Sequence, residues 1–584
     1  MEHPFEDITA IRDQPDDDAP RLALARELMA RGDPRGEFID MQCALERFKE
    51  DLEVRDTLRE RTQALLAEHE AQWLKPLGLR SREVRWSRGF IHEVWLTPER
   101  LGAVEHALLR GAPLRTLHLR GLEGSAAKLE RALASPLMEV VTVLDLNQEG
   151  LGPDAAEVFT RIPSLTRLRK LRLTYNHLGF EGARALASAP CLGGLTHLDL
   201  HDNEVGPGGT RAIVKSPHFV HLHVLALGSS GAGEVDEQML FGDDGAHVLA
   251  RATHLSHLRG LYLECSGLTD KGAWMLAQAP HLAELRTLSM PNNQVGRAGI
   301  RALVERVSRL EALKIGSNRL GLAGMRAVTG GLSRLGKLDM GDNGPGGAKA
   351  LWESPRMTEL RYLRLSDGQV GDDGARMLAS SPHLSRLTTL ELHANGIGSE
   401  GARALANAPP LAGLTSLNLS DNFLGDEGAR ALGTASCLHQ LSTLNLSLTR
   451  LGGEGVRALV SGPHLRNLTE LTLDYNPIGD DGARALADST SLSRLNRLSL
   501  MRTGMTDAGL RALARARDLS RLKSLSVQGN TYTEAGVRAL ASAKWAVSLK
   551  NLALPPQWVR SLPDQGRPFL EELAHLMPHV RIPR

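Results

Sequence analysis

Two acid–histidine neighbours are the residues of this chain whose types and spacing come closest to an acid–base pair. His201 follows Asp199 by two residues, and His393 follows Glu391 by two residues. A carboxylate that orients an imidazole is a common arrangement for proton transfer. Catalysis would also require a nucleophile, and none recurs beside these pairs. We therefore interpret both pairs as polar surface residues that contact a partner.

The other groups that could do chemistry also favour non-catalytic explanations. Asp16, Asp17 and Asp18 are not followed by a glycine-containing calcium loop, so we interpret them as negative charge at a helix start. The cysteines form no C-x-x-C pair and are interpreted as small fillers; they are Cys43, Cys191, Cys265 and Cys437. No Walker loop, G-x-S-x-G elbow or H-E-x-x-H motif occurs in the sequence. We predict no enzyme activity, no metal site and no cofactor.

Composition and charge exclude further classes. The 584 residues carry 69 basic and 68 acidic side chains, a formal net charge of +1, so we expect no general attraction to nucleic acid or to an anionic membrane. No run of about 18 apolar residues could span a membrane. The sequence MEHPFEDITAIRDQ at the start has neither the basic nor the apolar region of a secretory signal. We expect a cytoplasmic protein.

One sequence phrase returns along most of the chain, and LTSLNLSDNFLGDEGARALGTASCLHQ, residues 414–440, is its clearest copy. Twelve of the sixteen intervals between units are 27 residues, three are 25 and one is 36. The units begin at residues 114, 141, 168, 195, 222, 258, 285, 310, 335, 360, 387, 414, 441, 468, 495, 522 and 549. Such a period predicts a solenoid instead of several globular domains.

The residue types within a unit predict its structure. Leu417 and Leu419 alternate as in a short strand with one buried face. Gly425 permits a turn, Asp426 or Glu427 places negative charge at a helix start, and residues 429–432 form a short helix. Stacking these coils produces a parallel sheet on the inside and helices on the outside.

An asparagine three residues after the last apolar strand position recurs in nine units. Its amide can satisfy the backbone groups of a buried turn from one coil to the next. We predict a structural ladder of Asn176, Asn203, Asn293, Asn318, Asn343, Asn395, Asn422, Asn476 and Asn530. Other units place Ser230, Ser266, Thr449 or Thr503 there, which keeps a weaker polar partner.

These units resemble leucine-rich repeats, specifically the ribonuclease-inhibitor-like subclass, over about residues 90–560. The resemblance implies an α/β solenoid in the form of a horseshoe, with a parallel inner sheet and outer helices. It also implies a protein-binding scaffold that uses the concave face and loops. An alternative comes from the similar activator of the small GTPase Ran: a regulator of a small GTPase that is not catalytic alone. No catalytic Arg and no long acidic tail of that activator is recognisable here.

The first 80 residues predict a small all-α module instead. Asp18 is a plausible N-cap, Gly32 a plausible C-cap, and Asp33-Pro34 a helix start. The strings DDDAPRL and RGDPRGEFI resemble the repeat-companion domain of myxobacteria and planctomycetes, which implies a bacterial protein. We predict an all-α module at residues 1–82, an N-terminal capping unit at 83–113, repeats at 114–554 and a C-terminal cap at 555–584.

The predicted partner is a protein, of unknown identity, with no nucleic acid and no membrane involved. The longest unit carries an insertion between residues 229 and 241, and insertions in solenoids often lie on the binding face. Its acidic residues are Glu234, Asp236 and Glu237. The predicted inner face is polar and close to neutral, which suits a folded protein. Its candidate contact residues are Arg172, Asp199, His201, Tyr262, Lys314, Arg364, Glu391 and His393.

One helix position carries arginine in eleven units, and this rank could form a basic ridge for phosphate groups. Most of these arginines follow an acidic residue by three or four positions, as Arg430 follows Glu427. That spacing predicts ion pairs within a helix, each contributing about 0.2–0.5 kcal/mol. We therefore interpret the rank as a solvated and internally paired surface.

Overall fold

The computed structural model describes residues 8–48, 52–162, 165–231, 240–343, 346–554, 572–573, 575–577 and 580. The chain divides into two compact units. Unit 1 comprises residues 1–268 and 278–285, and unit 2 comprises residues 269–277 and 286–584.

Unit 1 begins with four helices: α1 (Thr9–Asp13), α2 (Ala19–Ala30), α3 (Pro34–Arg47) and α4 (Leu52–Leu74). Helix α2 is followed by Gly32, whose φ of 73° lies in the left-handed region. The carboxylate of Asp33 caps α3 by accepting the backbone N–H of Arg35 at 2.8 Å. Asp18 precedes α2 but its side chain makes no capping hydrogen bond. The prediction of helices before the repeats is confirmed.

A hairpin connects these helices to the repeats. Strands β1 (Val84–Ser87) and β2 (Phe90–Leu96) pair antiparallel. Phe90 is buried in one cluster with Ile39 of α3. Between the strands, Gly89 has a φ of 84°, and a Cβ there would lie 2.3 Å from the side chain of Ile39. The close approach of hairpin and helices therefore requires glycine at this position.

The repeats of unit 1 alternate strands with helices. Strands β2 to β8 pair parallel, each with the next. Val94 of β2 lies beside Leu117, and from β3 onward the central leucine of each strand lies beside that of its neighbour. The strands are β3 (Thr116–Leu119), β4 (Val143–Asp145), β5 (Lys170–Arg172), β6 (His197–Asp199), β7 (Val224–Ala226) and β8 (Gly260–Tyr262). The helices are α5 (Pro98–Gly111), α6 (Ala126–Leu133), α7 (Gly152–Glu157), α8 (Gly179–Ala187), α9 (Gly206–Lys215) and α10 (Gly242–Ala250).

Unit 2 repeats the same pattern, with strands β9 to β19 parallel and in register. The strands are β9 (Thr287–Ser289), β10 (Ala312–Lys314), β11 (Lys337–Asp339), β12 (Tyr362–Arg364), β13 (Thr389–Glu391), β14 (Ser416–Asn418), β15 (Thr443–Asn445), β16 (Glu470–Thr472), β17 (Arg497–Ser499), β18 (Ser524–Ser526) and β19 (Asn551–Ala553). The helices are α11 (Asp270–Ala277), α12 (Arg297–Arg306), α13 (Gly321–Gly331), α14 (Gly347–Trp352), α15 (Gly371–Ala379), α16 (Ser399–Ala406), α17 (Gly425–Gly433), α18 (Gly453–Val460), α19 (Gly479–Asp488), α20 (Asp507–Ala514) and α21 (Glu534–Ala541). The predicted α/β repeat fold, a parallel sheet with helices, is confirmed. Most of the predicted C-terminal cap lies outside the described residues.

Buried asparagine amides join one repeat to the next. The Nδ2 of Asn422 donates to the carbonyls of Leu392 and Leu419, both at 2.9 Å, while its Oδ1 accepts the N–H of Ile397 at 2.9 Å. Of the nine asparagines singled out, Asn530 is half-buried and the other eight are buried. Ser230 is exposed, so its interpretation as a ladder residue is wrong; the longest unit departs from the consensus path there.

Acidic residues in the first helical turn also act across repeats. The Oδ1 of Asp372 accepts the N–H groups of Gly398 and Gly401, at 2.7 and 2.8 Å, at the start of the next helix. The equivalent Asp480 accepts from Thr506 and Gly509. These carboxylates therefore cap the helix of the following repeat, where unpaired N–H groups require acceptors.

Candidate partner-binding surface

A buried ionic network occupies the sheet face of unit 1 near its first repeats. His118 lies with Nε2 3.1 Å from a carboxylate oxygen of Glu93 and Nδ1 3.2 Å from one of Asp145, and its ring stacks on Trp95. Burial disfavours the charged form of Asp145, but hydrogen bonds from His118 and Arg120 hold the pKa of this carboxyl well below its ordinary value. Sequence reasoning missed this network. Its signal in the sequence is that His118, Asp145 and Arg172 occupy the same strand position in consecutive repeats.

A second cluster in unit 1 surrounds His201. Its Nδ1 lies 3.2 Å from the Oδ1 of Asp199 and its Nε2 lies 2.8 Å from the Oε2 of Glu264. Burial works against the charged imidazole, but hydrogen bonds and attraction to the two carboxylates raise the pKa of His201 to about 10. His201 is therefore a cation at neutral pH, which does not suit a general base.

Glu264 belongs to the second repeat after that of His201, and Gly228 holds the equivalent position in the repeat between them. A Cβ at Gly228 would lie 2.5 Å from the backbone nitrogen of Glu264. The missing side chain of Gly228 lets His201 reach across one repeat. Sequence reasoning identified Asp199 but missed Glu264.

The remaining candidate residues of unit 1 lie at the same face. Arg172 lies on β5 with a guanidinium nitrogen 3.5 Å from the Oδ2 of Asp145. Tyr262 lies half-buried on β8, and burial together with the charges of Glu264 and Asp199 raises the pKa of its hydroxyl. Glu234, Asp236 and Glu237 lie outside the described residues.

In unit 2, the candidate residues of β12 and β13 form a separate charged group. Arg364 lies 3.7 Å from a carboxylate oxygen of Asp339 and 3.7 Å from one of Glu391. Glu391 also accepts a hydrogen bond of 2.9 Å from the hydroxyl of Tyr362. Lys314 lies half-buried on β10, next to the strand β11 that carries Asp339. Burial raises the pKa of the Asp339 carboxyl, and the positive charge of Lys314 opposes this rise.

His393 does not pair with the neighbouring Glu391. Its Nδ1 lies 3.0 Å from the Oγ of Ser420 in the following repeat. Glu391 instead contacts Tyr362 and Arg364 of the preceding repeat. The two side chains contact repeats on opposite sides, so no acid–histidine pair forms at His393, and its role as a polar contact residue remains a prediction.

Beyond β13 the sheet carries a group of uncharged side chains. We call it the polar face; it comprises Ser416, Asn418, Thr443, Asn445 and Ser447, and all five are half-buried. Asn418 and Asn445 each accept a backbone N–H two residues on, from Ser420 and Ser447, both at 3.0 Å. These contacts orient the amides and leave their Nδ2 groups available as donors.

The loops that follow these strands expose large apolar side chains. We call Phe423, Leu448 and Tyr475 the apolar rim; their exposed fractions are 52%, 46% and 42%. The guanidinium carbon of Arg450 lies 4.3 Å from the centre of the Phe423 ring, and that of Arg502 lies 5.4 Å from the Tyr475 ring. The rim therefore combines apolar area with cations that contact the aromatic faces.

Two residues of the apolar rim have a backbone conformation that is uncommon for bulky side chains. Leu448 and Tyr475 have φ of 55° and 57°, in the left-handed region that disfavours bulky residues. Preceding repeats place Asp342, Asp367 and Asp421 at this position. Sequence reasoning missed the rim, although its signal was a bulky residue directly before the ladder position at Leu448 and Tyr475, and directly after it at Phe423.

Neither a metal centre nor a membrane span is found in the part of the chain that the structure describes. No group of three or more His, Cys, Asp or Glu side chains there could hold a metal ion. No described helix is both long and apolar enough to cross a bilayer.

Comparison with known proteins agrees with the repeat architecture. The family model described as Leucine Rich repeat matches seven segments: residues 164–187, 195–214, 357–379, 383–406, 414–433, 438–460 and 464–487. These segments are leucine-rich repeats, and the fold is a solenoid of that class.

A solved structure of an internalin (inlF) from Listeria monocytogenes str. 4b F2365 is similar at 18% identity, covering 60% of this chain and 88% of that chain, with a TM-score of 0.38. No curated protein matches the chain.

Proposed function

We propose that the protein is a non-catalytic scaffold whose repeat surface in unit 2 binds another protein. The observation that carries the proposal is the apolar rim, with Phe423, Leu448 and Tyr475 exposed on consecutive repeats and two arginines against its rings. Aromatic residues and arginine dominate the binding energy of protein interfaces. Exposed apolar groups of this kind mark interaction sites on soluble proteins.

The polar face supports the same assignment. Its hydroxyls and amides can hydrogen-bond to a partner without the large desolvation cost of buried charge. Several charges elsewhere on the sheet are paired internally, as Arg364 is with Asp339 and Glu391. Such a surface is better suited to a folded protein as the partner than to a nucleic acid, because binding of a nucleic acid requires a concentrated positive field.

The narrower assignments rest on sequence alone. The repeat-companion resemblance supports a bacterial protein, the sequence features discussed above support a cytoplasmic one, and both remain predictions. Regulation of a small GTPase remains the alternative function, and recovery of such a GTPase as the partner would support it.

The test is capture of partners from lysate of the native cell, with quantitative mass spectrometry, by the wild-type protein and by two variants. The Phe423→Ala/Tyr475→Ala variant removes the rings of the apolar rim. The Trp274→Ala variant is the matched control, because Trp274 is also an exposed aromatic residue, 54% exposed, but lies on helix α11.

We expect at least one protein to be retained by the wild type and by Trp274→Ala, and reduced about tenfold or more with the rim variant. Loss of one or two interface anchors at about 1–2 kcal/mol each predicts a change of this size. Equal capture by all three proteins would remove the rim from the binding surface.

A further inference from the structure

A basic groove lies in the helical layer of unit 1, between α9 and α10. Its volume is about 480 Å³, and its cationic side chains are Arg211, Lys215 and Arg251. His247 and His254 also line it, while Val214, Val248 and Ala252 supply its apolar part. Among the described residues, no acidic side chain lines this groove.

The groove between α18 and α19 of unit 2 provides an internal comparison. It has a similar volume of about 430 Å³, and its charged lining residues are Arg457, Arg466, Arg484 and Asp488. In that groove Arg457 pairs with Glu454 and Arg484 pairs with Asp481. Its cations and acids therefore balance, and this groove is close to neutral.

Three replacements make the groove of unit 1 more positive, while His247 in place of Arg484 acts in the opposite direction. In the 27-residue register, Gly208 stands where the other groove has Glu454, Lys215 stands in place of Ser461, and Arg251 stands in place of Asp488. Arg211 consequently lacks the acid that precedes Arg457 and Arg484 by three residues. Among the residues that the structure describes, Arg211, Lys215 and Arg251 form no ion pair, and Arg251 lies 3.4 Å from the Nε2 of His247.

The surroundings reduce this positive charge without cancelling it. The groove lies at the C-terminal ends of two helices, each of which contributes about half a negative charge. Asp243 and Asp244 lie in the first turn of α10, seven or more residues before Arg251, which is about 10 Å along the helix. The three cations therefore leave the groove with a net positive charge.

We propose that this groove binds a phosphate group, carried either by a small metabolite or by a phosphorylated protein segment. Arginine donates paired N–H groups in a geometry that matches phosphate oxygens, and two arginines here flank one groove. The volume falls within the range of small-ligand sites. The site lies on the helical layer of unit 1, so it is independent of the apolar rim of unit 2.

The experiment is isothermal titration calorimetry of the full chain at constant ionic strength. The probes are inorganic pyrophosphate, a phosphoserine peptide and the same peptide with unmodified serine. The test variant, Lys215→Ser/Arg251→Asp, installs the residues of the neutral groove, and Arg457→Gln is the matched control. All three replaced side chains are exposed, so we expect unchanged melting temperatures.

We expect pyrophosphate or the phosphoserine peptide to bind the wild type and Arg457→Gln equally, and to bind the double variant at least tenfold more weakly. Tighter binding of pyrophosphate identifies a metabolite site, and tighter binding of the phosphopeptide identifies a modified protein segment. Absence of binding by both probes, equal binding by the double variant, or equal binding of the unmodified peptide would overturn the proposal.

Discussion

At the scale of single residues, a few side chains connect neighbouring repeats. Asn422 satisfies backbone groups of two repeats at once, and Asp372 caps the helix of the repeat after its own. His201 reaches further, to Glu264 two repeats on. Each of these contacts joins residues 25 or more positions apart, so the repeat period determines which side chains meet.

The charged state of His201 leads to a pH-dependent prediction. We expect His201→Gln to lower the free energy of unfolding most at pH 6 and progressively less toward pH 10. The pKa of His201 is raised to about 10 in the folded protein, compared with about 6.5 for an unfolded histidine. The folded state therefore binds more protons between these values, so the stabilisation is complete below about pH 6.5 and is lost as pH rises through about 10. Denaturant unfolding at pH 6, 8 and 10 measures the difference.

The matched control for that prediction is His393→Gln, because the imidazole of His393 contacts the hydroxyl of Ser420 instead of two carboxylates. We expect a smaller effect of this substitution at pH 6. A difference between wild type and His201→Gln that stays constant over the three pH values would contradict the ion-pair assignment.

At the scale of the element, the three-residue strand is the unit that positions the surface. From β3 onward, the central leucine of each strand and the apolar residue two positions later are buried, while the residue between them lies on the other face of the strand. Leu417 and Leu419 are 1% and 0% exposed, and Asn418 between them is half-buried. A change of one residue in register would exchange the core and the binding surface.

This alternation predicts opposite outcomes for adjacent substitutions. We expect Leu419→Asp to lower the free energy of unfolding by about 3–5 kcal/mol, since it buries a charge without a partner. Asn418→Asp keeps an acceptor for the N–H of Ser420 and should change stability by less than about 0.5 kcal/mol. Chemical denaturation of both variants measures this contrast, and similar losses would mean that the strand register is wrong.

At the scale of the whole molecule, repeats contact their neighbours along the chain, so we expect local damage to remain local. The junction at Gly89 tests this expectation, because a Cβ there meets Ile39 and the φ of 84° disfavours other residues. We expect Gly89→Ala to reduce amide protection in α2, α3, β1 and β2, and to leave β14 to β16 protected. Hydrogen–deuterium exchange with mass spectrometry measures both regions.

Gly102→Ala is the control for that substitution, because nothing lies within 4 Å of a Cβ at Gly102 on helix α5. We expect its exchange pattern to match that of the wild type. A uniform loss of protection along the chain in Gly89→Ala would show that the repeats unfold as a single cooperative unit instead.

The sequence by itself determined the repeated strand and helix of this protein, the register of its leucines and the helices that precede the repeats. These features follow from local periodicity, which repeats often enough to be read without the fold. The ladder position was also readable, although Ser230 shows that an insertion can remove it.

The tertiary structure alone decided which charged and apolar side chains come together. Glu264 meets His201 because Gly228 leaves the intervening position open, and His393 turns away from Glu391 toward Ser420. The apolar rim and the basic groove arise where several repeats depart from consensus at positions that stacking makes adjacent. One linear unit cannot reveal such sites, because their energies depend on contacts between residues 27 or more positions apart.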